Sequence, residues 1–333
     1  MDKLWKQIVV AITMGLMVPQ MIFTAAYRLR ADEQADQSQA ATQPTSQTDA
    51  SEQQSDAVES VVYVPVVLDG KVQIMDLERY IFGVVLAEMP AYFEEEALKA
   101  QAVAARTYTL RRLTLGDKHP QGAVCTDSGC CQAYLTETQY LQERGSQKDM
   151  EKIYAAVAAT AGEVVSYNGE LIEATYFSCS GGRTEDAVAV WGEEIPYLQS
   201  VESPGEIKAE QYQGNVYLTA AQFQALLGRD LSGSPKSWLG DVHYTAGGGV
   251  DHMVIGGITY SGTQIRKLLG LNSTVFTMTA QDSGISIVTK GWGHRVGMSQ
   301  YGADAMALEG YTYQEILKHY YQGTIIDKLW NLG

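Results

Sequence analysis

One carboxylate, Glu88, stands in the sequence where a helix face would carry an apolar side chain. Leu77, Ile81, Val84 and Glu88 follow one another at the three- and four-residue steps of a single helix face. Burial disfavours the charged form of a carboxylate and raises its pKa, so Glu88 would suit a general acid that exchanges a proton near neutral pH. Pro90 disfavours helical geometry in the residue before it, so we expect the helix to end with Glu88 at its mouth. The alternative is a solvated glutamate at a frayed helix end.

A second predicted helix carries two polar residues within a segment of small side chains. Acidic residues 94–96 suit its start and the arginines at 111–112 suit its end, because charges of these signs favour those ends of the helix dipole. Residues 97–105 between them are rich in alanine, which lets two backbones approach closely. We predict that Gln101 and Arg106 line a substrate cleft, although Arg106 could instead extend into solvent.

Two glycine-containing blocks offer further polar groups to a ligand. The first block ends a predicted strand, and the second places a histidine on a flexible loop before a small-residue helix. Glycines let a backbone approach a ligand closely, and hydroxyl, amide and imidazole groups suit a sugar. A tight structural turn that packs a helix on a sheet is the alternative for the second block. The predicted substrate-binding residues are Ser178, Ser180 and Gly181 in the first block, and His294, Gln300 and Tyr301 in the second.

The four cysteines divide into an isolated residue and a cluster. No histidine spacing supports Cys179 as a nucleophile, so we expect it to be a small buried side chain. The pattern His119-x5-Cys125-x4-Cys130-Cys131 fits a closed tetrahedral zinc site with a structural role, since four protein ligands leave no position for water. A disulfide that joins Cys125 to Cys130 or Cys131 is the alternative in an oxidising compartment.

The chain before residue 61 differs in composition from the rest. Residues 8–27 are largely apolar, long enough to cross a bilayer and flanked by Lys and Arg, so we predict a membrane anchor over residues 1–30. A cleaved signal peptide is the alternative. Residues 31–60 contain no aromatic residue, Lys or Arg and predict a disordered linker. Residues 61–333 would then form an extracytoplasmic catalytic domain.

The remaining pattern mixes helices and hairpins. Asn168-Gly169 between residues 163–167 and 171–177 predicts a hairpin, and residues 282–284 mark a second one. Helices and hairpins do not alternate regularly, so we predict an α+β body, formed of two lobes. The expected helix caps are Thr219, Ser261 or Thr263, and Thr312 with Glu315.

Composition narrows the class of partner. The chain has 333 residues, of which 45% are hydrophobic, which is normal for a globular protein. Its formal net charge is -15 and its Lys and Arg residues are scattered. A nucleic acid is therefore not an expected partner, because binding a phosphate backbone requires a concentrated basic face.

Three separated segments resemble the signature blocks of the stage II sporulation protein D family. They are Ala87–Tyr108, Ala174–Glu185 and Lys290–Ala307, and they occur in the order typical of that family. The similarity extends over residues 60–333. With Glu88, the cysteine cluster and the predicted anchor, the chain resembles the sporulation members of the family more than the related amidase-enhancer proteins.

The resemblance implies a lytic transglycosylase that cleaves the β-1,4 bond after N-acetylmuramic acid and leaves 1,6-anhydro ends, with Glu88 as its single general acid and base. The implied substrate is peptidoglycan glycan stripped of its stem peptides, and Arg106 would pair with the lactyl carboxylate that stripping exposes. Some members bind zinc in a similar segment, with His at the position of Cys130, which favours zinc here. Members generally carry glycine where this chain has Arg295, so the loop beside His294 should depart from the family's geometry.

The resemblance also implies partners and a location. An amidase-endopeptidase and a multi-span membrane scaffold would be partners at the engulfing membrane of a sporulating cell, and the N-terminal helix would anchor the chain to the cell membrane. A glycan-binding module that stimulates a partner amidase without cutting glycan is the alternative function. Glu88 discriminates the two, because an enhancer does not require it.

Overall fold

Helix α1 (Leu77–Glu88) has Glu88 as its last residue. The computed structural model describes residues 61–116, 118–210 and 212–331. Asp76 precedes α1, and its side chain accepts a hydrogen bond of 2.9 Å from the backbone N–H of Arg79. The helix ends because Met89 adopts an extended conformation ahead of a proline. The predicted helix end at Glu88 is confirmed.

Helix α2 (Glu95–Leu115) is the centre of the larger hydrophobic core. From Ala97 to Ala105 every side chain except that of Lys99 is fully buried. The small side chains of this segment let other helices approach the α2 backbone closely. The neighbouring elements that pack against α2 are α1, α4 (Gln147–Ala159), β4 (Glu163–Tyr167), α8 (Gln300–Leu308) and α9 (Tyr313–Tyr320).

The chain changes sheets just before the first glycine-containing block. Asn168 and Gly169 have φ angles of 53° and 83° and connect β4 to β5 (Glu170–Leu171), which confirms the predicted hairpin. The predicted second strand was to continue through residue 177, and this is wrong. Strand β5 ends early because the chain leaves β4, and β6 (Tyr176–Phe177) pairs in parallel with β13 (Met298–Ser299) instead. This pairing brings the two blocks together.

A second hydrophobic core lies between residues 213 and 290. One sheet contains β11 (Val275–Ala280), β12 (Gly284–Lys290) and β7 (Gln213–Thr219) in that order, so the second predicted hairpin is confirmed. Gln213 and Lys290, the first and last residues of this lobe, are register partners on adjacent strands. The cluster in residues 213–290 is separate from the larger hydrophobic core, and we call this segment the smaller lobe.

The mixture of elements confirms the α+β prediction. Capping boxes are present at Thr219, Ser261 and Thr312, as predicted. The other elements are β1 (Tyr63–Leu68), β2 (Lys71–Asp76), β3 (Val124–Cys125), α3 (Glu137–Glu143), α5 (Ala187–Trp191), α6 (Ala220–Leu227), β8 (Leu239–Tyr244), β9 (Val250–Ile255), β10 (Ile258–Ser261), α7 (Gly262–Leu269) and β14 (Ile325–Lys328).

The predicted membrane anchor and linker, residues 1–60, lie outside the described residues. Among the helices that the structure does describe, none combines the length and the apolar content required to cross a bilayer.

Candidate functional site

Glu88 is half-buried at the C-terminal end of α1. Its Oε1 accepts a hydrogen bond of 2.7 Å from the backbone N–H of Ala133. Burial raises the pKa of Glu88 above its ordinary value of 4.5, while the Ala133 N–H, the Gln300 amide and the charge of Arg144 act to lower it. Burial is the largest of these effects. Glu88 therefore holds its proton to higher pH than an ordinary glutamate, as a general acid requires.

Ala133 belongs to a short segment, residues 132–135, that lies along α1. The ring of Tyr134 stacks on that of Tyr80, with centroids 5.7 Å apart. Gly83 makes this approach possible, because a Cβ at that position would lie 2.2 Å from the Tyr134 ring. Sequence reasoning missed the role of Gly83, although a glycine inside an otherwise apolar helix is the signal that could have found it.

The two glycine-containing blocks meet beside Glu88. The backbone N–H of Tyr301 donates to the Ser178 carbonyl at 3.0 Å. The Gln300 amide lies close enough to Glu88 to affect its pKa, and its buried Nε2 has no hydrogen-bond partner among the described residues. The hydroxyls of Tyr301 and Tyr92 are 3.2 Å apart, and Tyr92 is largely exposed. The structure thus brings together Glu88, Ser178, Gln300 and Tyr301, and adds Tyr92, which the sequence did not indicate.

His294 lies behind this region as a neutral imidazole. Its Nε2–H donates to the Tyr176 carbonyl at 3.1 Å, and its Nδ1 accepts from the backbone N–H of Val296 at 3.2 Å. Burial, together with the charge of Arg266, lowers the pKa of His294 to about 4. Both ring nitrogens are therefore occupied near neutral pH, and His294 supports the loop rather than offering a hydrogen bond to a ligand.

Ser180 and Gly181 require a correction, because the structure turns both toward a buried carboxylate. One oxygen of Glu206 accepts from the Ser180 N–H at 2.7 Å, the Ser180 hydroxyl at 2.8 Å and the Gly181 N–H at 2.8 Å. Its other oxygen accepts from the hydroxyls of Ser203, at 2.7 Å, and Ser299, at 2.5 Å. The predicted donors are therefore used inside the protein, where they hold the first block against the start of α8. No sequence signal pointed to Glu206.

Arg106 and Gln101 also require a correction. The guanidinium of Arg106 is fully buried and donates to both carboxylate oxygens of Glu78, at 2.8 and 2.6 Å, and to the Glu163 carbonyl at 3.0 Å. Because the Arg106 side chain is fully buried and committed to Glu78 and Glu163, it has no exposed surface to offer a substrate carboxylate. Gln101 is fully buried, and neither polar atom of its amide has a hydrogen-bond partner among the described residues.

Arg295 occupies the position where the resemblance led us to expect glycine. Its φ angle is 69°, a left-handed conformation that favours glycine. Its buried guanidinium donates to the carbonyls of Ser180, Arg183 and Gly247 at 2.7, 2.7 and 2.6 Å, and pairs with Glu185 at 3.4 Å. These bonds tie the first block to the smaller lobe, which offsets the cost of the unfavourable backbone conformation.

All four cysteines are free thiols in the structure. Cys179 is fully buried, and burial raises its pKa to about 12, which disfavours a nucleophilic role. The ligand atoms of His119, Cys125, Cys130 and Cys131 lie within 4.8 Å of one another. The Sγ atoms of Cys130 and Cys131 are 3.3 and 3.6 Å from His119 Nε2. The last residue of the cluster, Cys131, lies two residues before Ala133 along the chain.

Comparison with known proteins identifies the family. A family model described as Stage II sporulation protein matches residues 69–167. The chain is 43% identical over 276 residues to Stage II sporulation protein D of Bacillus subtilis, which covers 81% of this chain and 80% of that protein. It is 41% identical to Stage II sporulation protein D of Bacillus amyloliquefaciens, again over 81% of this chain and 80% of the relative. It is also 30% identical to the Amidase enhancer of Bacillus subtilis, over 73% of this chain but only 40% of that longer protein. The chain therefore belongs to the Stage II sporulation protein D family.

Proposed function

We propose that the protein is a peptidoglycan lytic transglycosylase that cleaves the β-1,4 bond between N-acetylmuramic acid and N-acetylglucosamine in peptide-stripped glycan strands. The observation that carries the proposal is Glu88, a half-buried carboxylate of raised pKa where the three motif segments meet. Among the described residues, the groups that shift the pKa of Glu88 are the Ala133 N–H, the Gln300 amide and Arg144, and none of them is a second acid. A single carboxylate suits a reaction in which the substrate supplies its own nucleophile.

The proposed mechanism uses Glu88 twice. Protonated Glu88 donates its proton to the bridging oxygen as the glycosidic bond breaks, and the acetamido group of the substrate stabilises the developing positive charge. Glu88 is then a carboxylate and removes the proton from the C6 hydroxyl of the same muramic residue. That oxygen closes the 1,6-anhydro ring, which restores protonated Glu88 without consuming water. The Ala133 N–H holds the carboxylate in place through both steps.

We propose that His119, Cys125, Cys130 and Cys131 hold a structural zinc ion. A tetrahedral site with zinc–sulfur bonds of ~2.3 Å and a zinc–nitrogen bond of ~2.0 Å has nitrogen–sulfur edges of about 3.5 Å. The His119 separations of 3.3 and 3.6 Å fit that figure. Bound zinc would cross-link the loop that leads to Ala133 and so support Glu88 indirectly. We expect about one zinc per chain by elemental analysis, its loss on Cys125→Ser substitution, and a lower Tm after chelation.

The proposed setting follows from the sporulation relatives. The protein would act in septal wall degradation during engulfment, outside the cell membrane and anchored to it by the N-terminal segment. An amidase that strips stem peptides would supply its substrate, and a multi-span scaffold would hold the two together. These partners and this location rest on the family alone.

A second function, as a non-catalytic enhancer of a cell-wall amidase, is supported by the similarity to the Bacillus subtilis Amidase enhancer. The test is to incubate the full chain and its Glu88→Gln variant with amidase-stripped glycan strands and to identify the product ends by mass spectrometry. Anhydro ends from the unsubstituted chain alone support the transglycosylase. Reducing ends would mean a hydrolase, and intact strands bound by both proteins would support the enhancer.

A further inference from the structure

Three tryptophan side chains are exposed in the part of the chain that the structure describes. Trp191, Trp292 and Trp330 are 43%, 40% and 46% exposed, whereas Trp238 is buried. The ring of Trp330 already has a partner within the protein, because the ammonium of Lys328 lies 5.6 Å from its centroid. The described contacts of Trp191 and Trp292 include no cation, and no acceptor for either indole N–H. An indole combines a large apolar ring with one polar N–H, and side chains of this kind are enriched at binding surfaces.

Both indoles are attached to a rigid backbone around His294. Trp292 and Cys179 exchange two backbone hydrogen bonds, of 2.7 and 3.2 Å, which join the two glycine-containing blocks. The ring of Trp191, the last residue of α5, lies 5.8 Å from the His294 ring at an angle of 47°. His294 is itself fixed by hydrogen bonds at both nitrogens. The two indoles are therefore held in place while a large part of each remains open to solvent.

The same surface is connected to Glu88 by a short series of contacts. The Tyr176 carbonyl accepts the hydrogen bond of His294 at 3.1 Å, and the Tyr176 hydroxyl donates to Gln132 at 2.9 Å. The next residue after Gln132 is Ala133, whose N–H holds Glu88 at 2.7 Å. Tyr176 thus spans the distance between the indole-bearing loops and the acid.

We propose that Trp191 and Trp292 are stacking platforms for sugar rings of a β-1,4-linked amino-sugar strand, on one side of Glu88. The axial C–H groups of a β-linked pyranose form an apolar face that covers an indole ring, and the indole N–H can donate to a hydroxyl or acetamido oxygen at its edge. A rigid ring loses little conformational entropy when it is covered, so two such platforms grip a strand without enclosing it. This inference rests on the proposed function, because the glycan strand that the two indoles bind is the strand that Glu88 cleaves.

Binding to the full chain carrying Glu88→Gln tests the proposal, since this variant keeps the strand intact. The probes are a chitin hexasaccharide and amidase-stripped glycan strands, and the readouts are tryptophan fluorescence and Kd. We expect saturable fluorescence changes, and a Kd raised about 3- to 10-fold by Trp191→Ala and by Trp292→Ala. Trp330→Ala, which removes an equally exposed indole elsewhere, should leave Kd unchanged.

The conservative variants Trp191→Phe and Trp292→Phe separate stacking from folding. Each should bind more tightly than its alanine counterpart and melt at the Tm of the parent, because a phenyl ring keeps part of the platform. Unchanged Kd in both alanine variants, or an equal loss in Trp330→Ala, would overturn the inference. Absence of anhydro ends from the unsubstituted chain would refute the catalytic proposal alone, because binding is measured here without cleavage.

Discussion

An alanine at position 83 would compete with the Tyr134 ring for space beside Glu88. In a helix interior, alanine is favoured over glycine by about 1 kcal/mol. The new Cβ would lie 2.2 Å from the Tyr134 ring. A normal carbon–carbon contact is ~3.6 Å, so the ring must retreat by about 1.4 Å, and overpacking of this kind costs about 1–3 kcal/mol. We therefore expect Gly83→Ala to lower the free energy of unfolding by about 0–2 kcal/mol, against the trend of helix propensity.

We expect Gly83→Ala to change the pH dependence of activity even where the loss of stability is small. Tyr134 adjoins Ala133, so a displaced ring carries the Ala133 N–H away from Glu88, to which it now donates at 2.7 Å. Loss of that donor raises the pKa of Glu88 further, because the N–H stabilises the charged form. The alkaline limb of the activity profile, where Glu88 loses the proton it must donate, should therefore move to higher pH. The assay measures anhydro-end formation from stripped glycan across pH, beside urea unfolding of the same samples.

A second substitution decides between this explanation and a general loss of fold. In a Tyr134→Ala background the space beside position 83 is open, so Gly83→Ala should stabilise the chain by about 1 kcal/mol. The sign of its effect should thus reverse between the two backgrounds. If Gly83→Ala stabilises the unsubstituted chain, or if its pH profile is unchanged, then Tyr134 does not hold Ala133 against Glu88.

Three further outcomes are expected. Arg106→Ala should lower the free energy of unfolding by about 2–3 kcal/mol, because it removes the charged hydrogen bonds of a buried guanidinium to Glu78, whose side chain is 33% exposed. Lys236→Ala, which removes an exposed ion pair, should cost less than about 1 kcal/mol. Equal losses in chemical denaturation would contradict the structural role of Arg106. Burial raises the pKa of Glu88, so stability is lost as pH rises above 4.5 and the buried carboxyl ionises. The Tm of Glu88→Gln should therefore exceed that of the parent at pH 8 and equal it at pH 4. A constant difference in Tm over that range would show that Glu88 ionises without cost. Glu206→Gln replaces one accepting oxygen with an amide NH2, which would face the N–H and hydroxyl donors that Glu206 now accepts from. We expect it to destabilise the chain by about 3 kcal/mol. A variant as stable as the parent would mean that those donors find other acceptors.

The features that the sequence predicted well depend on neighbours along the chain. The end of α1 at Glu88 follows from Pro90, and the hairpin at Asn168-Gly169 follows from residues that tolerate positive φ. The errors concern groups whose partners are distant in sequence. Arg106 pairs with Glu78, 28 residues away, and Ser180 with Glu206, 26 residues away. A sequence shows which side chains can form hydrogen bonds, but only the fold decides whether another residue or a ligand receives them.

The pairing of Gln213 with Lys290 has a consequence for how this architecture can vary. Register partners on adjacent strands lie about 5 Å apart, so the smaller lobe leaves the main body and returns to it at nearly one point. An insertion with joined ends of this kind can lengthen, shrink or be exchanged for another module while the segments that carry Glu88 and Gln300 stay in place. Chimeras that exchange residues 213–290 between family members should therefore fold while keeping the site around Glu88 intact.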